Sequence, residues 1–202
     1  MRSAVLALAA AFTSSVSCAF GQDLTCEREM LRAANKHGIP LGMLYAVGLT
    51  ETGRGDSLRP YALNIEGRAV YDLDRRAALD RFRVAQQAGA RSIDVGCMQI
   101  NHRFHGQNFA SIEEMLEPAK NVDYAARFLR QLREREGSWT MAVARYHAGP
   151  NNDPAQRRYV CRVIANMVAS GFSGWTAEAR AFCGPDQDGL LRATDRAAAA
   201  KP

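Results

Sequence analysis

Helical signals follow one another along almost the whole chain, and this succession constrains the fold more than any other feature. Apolar residues recur at helical spacing between start signals such as Asp23, Asp74, Ser111 and Thr176 and stop signals such as Gly89. Helices are predicted over residues 24–36, 40–53, 75–88, 119–136 and 138–149, from 153 to about 168, and over 177–183. A short helix is predicted after Ser111, where Glu114 completes a capping box. The sequence therefore predicts a mainly α fold.

Two stretches depart from the helical pattern. Residues 61–71 (YALNIEGRAVY) form two short extended runs around Glu66 and Gly67, which predicts a small β-hairpin. Residues 92–101 (SIDVGCMQIN) are a second extended passage. We expect a small β insertion within the helical domain.

The ends of the chain differ in composition from the middle. Residues 1–21 contain Arg2 and an apolar, Ser-rich run that finishes in a small-x-small pattern, as in a cleavable secretory signal. The run is too short for a transmembrane helix, and Ser15 makes lipidation at Cys18 the less favoured interpretation. We expect export to the periplasm without stable membrane insertion, one domain over residues 22–183, and a disordered tail over 184–202.

Four cysteines remain after removal of the signal, namely Cys26, Cys97, Cys161 and Cys183. An even number in an exported protein indicates two disulfides, for which three connectivities exist. Loop-closure entropy favours the shortest loops, which pair the first cysteine with the second and the third with the fourth. The alternative is a metal site that combines Cys97 with the HRFH motif at 102–105. Without a CxxC pair we predict neither a metal nor a cofactor.

The charge balance narrows the class of partner. The formal net charge of +5 becomes +4 when Arg2 leaves with the signal. Such an excess favours anionic polymers or surfaces without specifying one. Because no basic stripe is interleaved with aromatic residues, nucleic acid is not an expected partner.

Glu51 is a carboxylate on an apolar helical stripe. Leu41, Leu44, Tyr45 and Gly48 recur at i, i+3, i+4 and i+7, and Glu51 continues this stripe seven residues after Leu44. Burial and the negative end of the helix would both raise the pKa of the Glu51 carboxyl, as a general acid requires. The alternative is a frayed helix end at which Glu51 reaches water.

Two further passages place polar groups where a helical core would not need them. In GCMQIN (96–101), Gln99 and Asn101 interrupt an apolar run, and their amides would need partners such as the hydroxyl and N-acetyl groups of a sugar. In ARYHAGP (144–150), Tyr146 and His147 lie at a helix end, where they could equally pack or cap. Each passage alone is a weak signal.

In order, these passages resemble the motifs of lytic transglycosylases with a soluble-lytic-transglycosylase-type, lysozyme-like domain. The resemblance covers residues 26–167 and is carried by Glu51-Thr52, GCMQIN at 96–101, Asn121-Val122 with Ala125-Ala126 and Leu129, Tyr146-His147-Ala148-Gly149, and Tyr159-Val160. It is closer to the small specialised enzymes of secretion, conjugation or flagellar machines, which share the inserted hairpin-and-helix segment and an IDVGxMQ stretch, here at 93–99. The fold implied is that of a goose-type lysozyme.

The resemblance implies a substrate and a mechanism. Peptidoglycan glycan strands would be cleaved between N-acetylmuramic acid (MurNAc) and N-acetylglucosamine (GlcNAc), with Glu51 acting first as acid and then as base. The muramoyl 6-hydroxyl would close onto C1 and give a 1,6-anhydro product, assisted by the acetamido group of the sugar. The residues implied to bind or orient substrate, or to support Glu51, are Thr52, Met98, Gln99, Asn101, Tyr146, His147 and Tyr159.

This sequence departs from the family pattern at three positions: Thr52 stands for a commoner Ser, Cys97 for a frequent Leu, and His147 for a frequent Asn. Asp94 is the only candidate for a second acid. If it faced Glu51 across a water, the protein would be an inverting, lysozyme-type hydrolase. A third alternative is a non-catalytic wall-binding or assembly protein.

Overall fold

The structure is a computed structural model that describes residues 23–52, 58–71, 73–149, 151 and 153–184. Within these ranges the chain is mostly helical, which confirms the predicted fold class. The helices are α1 (Thr25–His37), α2 (Leu41–Thr52), α3 (Arg75–Gln87), α4 (His102–His105), α5 (Ile112–Met115), α6 (Pro118–Glu136), α7 (Trp139–Ala148), α8 (Asp153–Ala169) and α9 (Ala177–Cys183), with a 3₁₀ turn at Gly106–Asn108. The predicted signal and the predicted tail, apart from Gly184, lie outside the described residues.

The helix starts follow the capping chemistry predicted from the sequence, with one exception. The side chains of Asp74, Ser111 and Thr176 each accept a backbone N–H at the first turn of α3, α5 and α9. The prediction of Asp23 as the cap of the first helix is wrong, because α1 begins at Thr25 with Leu24 in the cap position. Asp23 instead accepts the N–H of Thr25 at 3.0 Å.

Helix α2 lies in the interior and carries Glu51 near its end. It packs against α8 and α1, while α6 packs against α1 and α7. Leu44, Ala46 and Val47 of α2 are fully buried. A Cβ atom at Gly48 would overlap the Met30 side chain of α1, so the two helices approach closely at this glycine. Because α2 is buried on nearly all sides, the carboxyl group at its end lies close to the core.

The β insertion is larger than a hairpin. The predicted hairpin is present as β1 (Leu63–Ile65) and β2 (Arg68–Val70). The extended passage supplies β3 (Ile93–Val95) and β4 (Ile100–Asn101), and the strands form one antiparallel sheet in the order β2-β1-β3-β4. In the register, Asn64 pairs with Asp94, and Asp94 pairs with Asn101. Three polar side chains therefore lie in a row across one face of the sheet.

Both predicted disulfides are confirmed. Cys26 in α1 is bonded to Cys97, which lies in the turn between β3 and β4, and Cys161 in α8 is bonded to Cys183 in α9. The first bond connects the helical core to the turn beside the sheet. None of the helices in the described ranges is both long enough and apolar enough to cross a membrane.

Candidate active site

A cleft of about 720 Å³ lies between the small sheet and the ends of α2 and α7. Its lining is mostly polar on the sheet side, with aromatic side chains from α4 and α6 at one end. The lining residues are Glu51, Asn64, Ser92, Asp94, Gln99, Ile100, Asn101, Phe104, His105, Phe128, Arg145, Tyr146, His147, Ala148 and Gly149. This lining suits a chain-like ligand that carries both hydroxyl or amide groups and apolar faces.

Glu51 lies at the floor of this cleft, and its side chain is only 15 % exposed. The Tyr159 hydroxyl donates a hydrogen bond to Glu51 Oε1 at 2.6 Å. The pKa of the Glu51 carboxyl is raised to about 7, mainly because burial disfavours the charged form, with a smaller contribution from the negative charge of Asp94. The hydrogen bond from Tyr159 and the charge of Arg162 act in the opposite direction. The expected rise in pKa is confirmed, and the carboxyl is poised to give or take a proton near neutrality.

Tyr159 and His147 form a stacked pair beside Glu51. Their rings are nearly parallel, at an interplanar angle of 3° and a centroid distance of 4.2 Å. His147 Nδ1 lies 3.9 Å from Glu51 Oε1, which is too far for a hydrogen bond. Burial, and to a lesser degree Arg162, lowers the pKa of His147, while burial raises that of Tyr159 well above its usual value. Near neutrality the imidazole is therefore uncharged, and the phenol keeps its proton for Glu51.

The turn from Gly96 to Gln99 forms another part of the site and is fixed by buried hydrogen bonds. Gly96 has a φ of +78°, and a Cβ atom there would lie 2.7 Å from the Asn121 side chain. Asn121 accepts the N–H of Met98 and donates to the carbonyl of Val95. The turn can therefore approach the helical core closely only because residue 96 has no side chain.

Two hydroxyl groups tie the same turn to the helices on either side. Thr52 donates to the carbonyl of Cys97 at 3.1 Å, and Tyr146 donates to the carbonyl of Met98 at 2.9 Å. Gln99 has a φ of +44° and donates to the carbonyl of Gly96. The turn, α2 and α7 are thus held in one arrangement around the cleft.

The structure separates the predicted site residues into two groups. Glu51, Gln99, Asn101, Tyr146 and His147 line the cleft. Thr52, Met98 and Tyr159 lie behind it, each at most 1 % exposed, so their side chains do not contribute to its surface. The Tyr159 hydroxyl acts directly on the lining residue Glu51, whereas Thr52 donates to the carbonyl of Cys97 in the adjoining turn and Met98 contributes a backbone carbonyl. The roles in substrate binding stay predictions.

Several residues without a predicted binding role also line the cleft. On the sheet side these are Asn64 and Ser92, with Asp94 considered only as a second acid. Asp94 accepts a 2.6 Å hydrogen bond from Asn101, and burial raises the pKa of its carboxyl. The period-two pattern of β3 could have placed Asp94 on the open face, because Ile93 and Val95 on either side are buried.

Only Phe104 and His105 of the HRFH motif line the cleft, whereas His102 lies outside it. The His102 ring packs edge-on against Phe82, and His105 Nδ1 lies 2.8 Å from the Tyr124 hydroxyl. Cys97 is held in a disulfide and has no thiol to offer a metal. Among the described residues, no group of three His, Cys, Asp or Glu side chains is placed to hold an ion.

Comparison with known families gives one result. The family model described as "Transglycosylase SLT domain" matches residues 30–163, which is more than half of the chain. The match runs from α1 into α8 and contains Glu51, the turn at 96–99 and Tyr159. No curated protein and no solved structure matches the chain.

Proposed function

Because the chain belongs to the transglycosylase SLT domain family, whose members act on peptidoglycan with a lysozyme-like fold, we propose that it is a peptidoglycan lytic transglycosylase. It would cleave the β-1,4 bond between MurNAc and GlcNAc and leave a 1,6-anhydro-MurNAc end. The observation that carries this proposal is the Glu51 carboxyl group, which is held at a pKa of about 7 in a cleft with polar walls.

In the first step, Glu51 acts as the acid. Its proton passes to the glycosidic oxygen while the bond from that oxygen to C1 of MurNAc breaks. The carboxylate that forms keeps its hydrogen bond from Tyr159, whose proton is retained because the pKa of the phenol is high. The acetamido oxygen of the same sugar stabilises the positive charge at C1. Tyr159 therefore stabilises the Glu51 carboxylate through a hydrogen bond without transferring its own proton.

In the second step, the same group acts as the base. The 6-hydroxyl of MurNAc forms a bond to C1, and its proton returns to Glu51, which restores the starting state. No water is consumed, so one carboxyl group and the substrate are sufficient. Removal of water from the reacting face would favour ring closure over hydrolysis.

A lysozyme-type muramidase is the second candidate, and Asp94 is the observation that favours it. Asp94 lines the same cleft, and its charge contributes to the raised pKa of Glu51. As a base it would activate a water molecule. Its carboxylate, however, accepts a hydrogen bond from Asn101, and a base occupied in this way is less available.

A non-catalytic wall-binding protein would not need the raised pKa of Glu51.

Product mass tests the proposal. Digestion of purified sacculi should release muropeptides lighter by one water than the hydrolysis products. Glu51→Gln should abolish this release while the protein stays folded, and Glu178→Gln, a change at an exposed acid in α9, should leave it unchanged. Reducing muramic acid ends would instead support the muramidase. Unchanged release by folded Glu51→Gln would remove Glu51 from the mechanism.

The cellular setting is also part of the proposal. Residues 1–21 as a secretory signal would bring the enzyme to the periplasm, where its substrate is. The likeness of the IDVGxMQ stretch and inserted segment to the specialised enzymes suggests local opening of the wall for a secretion, conjugation or flagellar machine. Export is tested by fractionation of cells that express the full chain. A role for the enzyme in the assembly of such a machine is tested in a deletion strain that is complemented with Glu51→Gln. Assembly of the machine should be lost in that strain.

A further inference from the structure

A second cavity, which we call the arginine cavity, adjoins the cleft. It has a volume of about 270 Å³ and is lined by His147, Ala155, Arg158 and Arg162. The two arginines are one helical turn apart on α8, and both are exposed. Neither has a carboxylate partner within the described ranges, although the Arg162 guanidinium lies 5.8 Å from the centre of the Tyr159 ring. Two guanidinium groups therefore face one small space, and neither forms a salt bridge with a described residue.

Two other described arginines near the cleft, Arg145 and Arg157, are already engaged. Arg145 lines the cleft, but its guanidinium lies 3.4 Å from Glu136 and donates to the carbonyl of Gly149. Arg157 precedes Arg158 on α8 but donates to the carbonyl of Phe182 at 2.7 Å and lies over the ring of that residue. Among the residues that the structure describes, Arg158 and Arg162 are thus available to an anionic group that arrives beside the cleft.

The arginine cavity begins one side chain away from Glu51. His147 lines both spaces, and its Nδ1 is 3.9 Å from Glu51 Oε1. Because burial and Arg162 keep this imidazole uncharged near neutrality, the positive charge of the cavity comes from the arginines. An anion bound there would lie within one side chain of the bond that Glu51 protonates.

Peptidoglycan carries negative charge on the same sugar unit that reacts. The MurNAc unit that reacts at C1 carries a lactyl ether on O3, and the lactyl group is extended by a short peptide with free carboxylates. Carboxylate is the group that the planar guanidinium fork binds in two-point fashion. We propose, on the basis of the function proposed above, that Arg158 and Arg162 form a subsite for the stem-peptide carboxylates of the MurNAc unit that undergoes cleavage.

The subsite gives the enzyme a means to prefer peptide-bearing strands over bare glycan. The polar side chains along the sheet can bind sugar hydroxyl and amide groups, but these are present in every unit. Charge on the peptide would be recognised by the two guanidinium groups of the arginine cavity. Because both guanidinium groups are exposed, their attraction for a carboxylate is partly screened and should weaken with added salt.

Binding to a matched pair of ligands tests the subsite without requiring the reaction. The protein is the Glu51→Gln variant, and the ligands are a GlcNAc-MurNAc tetrasaccharide with stem peptides and the same compound with its carboxyls converted to amides. When Arg158→Gln is added to this variant, the affinity for the carboxylate form, measured by calorimetry, should fall by roughly 5-fold to 10-fold. This is the range for a charge-assisted contact at an exposed site. Binding of the amidated form should not change.

Arg157→Gln is the matched control, because it removes the same charge from the neighbouring position of the same helix. It should leave the binding of both ligands unchanged, and circular dichroism should show that all variants are folded. No weakening by Arg158→Gln, or equal weakening for the two ligands, would overturn the subsite. The reaction itself is judged separately by the product mass from the wild-type protein, so failure of one proposal is distinguishable from failure of the other.

Discussion

Replacement of Glu51 by Gln should make the protein more stable at alkaline pH, although it removes the proposed acid. In the unfolded chain the carboxyl ionises at its ordinary pKa of 4.5, whereas in the folded protein its pKa is about 7. Between these two pH values the folded state binds more protons than the unfolded state, so stability falls as the pH rises. Each pH unit between the two pKa values lowers the free energy of unfolding of the wild-type protein by 1.36 kcal/mol, which amounts to about 3 kcal/mol over the whole interval. The Gln variant has no carboxyl group at this position and does not lose this stability.

Urea unfolding with intact disulfides measures this effect. The free energy of unfolding of Glu51→Gln relative to wild type is determined at pH 4 and at pH 8. The difference between the two relative values should be about 3 kcal/mol in favour of the variant at pH 8. The comparison across pH cancels the pH-independent cost or gain of the amide itself, including its contact with Tyr159.

Glu66→Gln is a control substitution whose effect on stability at pH 8 should have the opposite sign. That carboxylate is exposed and accepts the N–H groups of Arg91 and Ser92, which lowers its pKa. Its stabilising contribution is present above the unfolded pKa and lost as the pH falls, so Glu66→Gln should destabilise the protein at pH 8 rather than stabilise it. A difference below about 1 kcal/mol between the pH 8 and pH 4 values for Glu51→Gln would refute the argument that burial keeps Glu51 protonated near neutrality.

Two further substitutions test the surroundings of Glu51. Tyr159→Phe removes the donor that favours the carboxylate, so the alkaline limb of kcat/KM, expected near pH 7, should move up by about one pH unit. A limb that stays in place would assign it to another group. Gly96→Ala combines a left-handed φ with overlap against Asn121 and should lower the free energy of unfolding by about 3 kcal/mol, measured in urea. A loss under about 1 kcal/mol would show that the turn can shift.

Much of the fold could be predicted because its signals are local. Asp74, Ser111 and Thr176 cap helices where the sequence placed them, since a capping side chain binds an N–H in its own first turn. The hairpin at Glu66-Gly67 is likewise marked by its turn residues. The pairing of β1 with β3 joins segments that are distant in the chain, so the four-stranded sheet did not follow from the pattern.

The disulfide pairing could be predicted in part, although it joins segments that are distant in the chain. The number of cysteines and the expected export indicated two bonds, and loop entropy favoured the pairing that is observed. The effect of the first bond could not be predicted in the same way. It fastens Cys97 and the neighbouring turn to α1, and this consequence depends on how the helices pack.

Three features could be read from the sequence alone: a mainly helical chain, the position of Glu51 on an apolar stripe, and ordered motifs that resemble one family of wall enzymes. Periodicity, caps and short motifs are local properties, so a linear chain records them. Tertiary structure decided which predicted residues reach the cleft, with Gln99 and Asn101 in its lining and Met98 behind it. It also decided that Arg158 stands beside the cleft, because exposure and the distance between groups arise only when separate segments pack together.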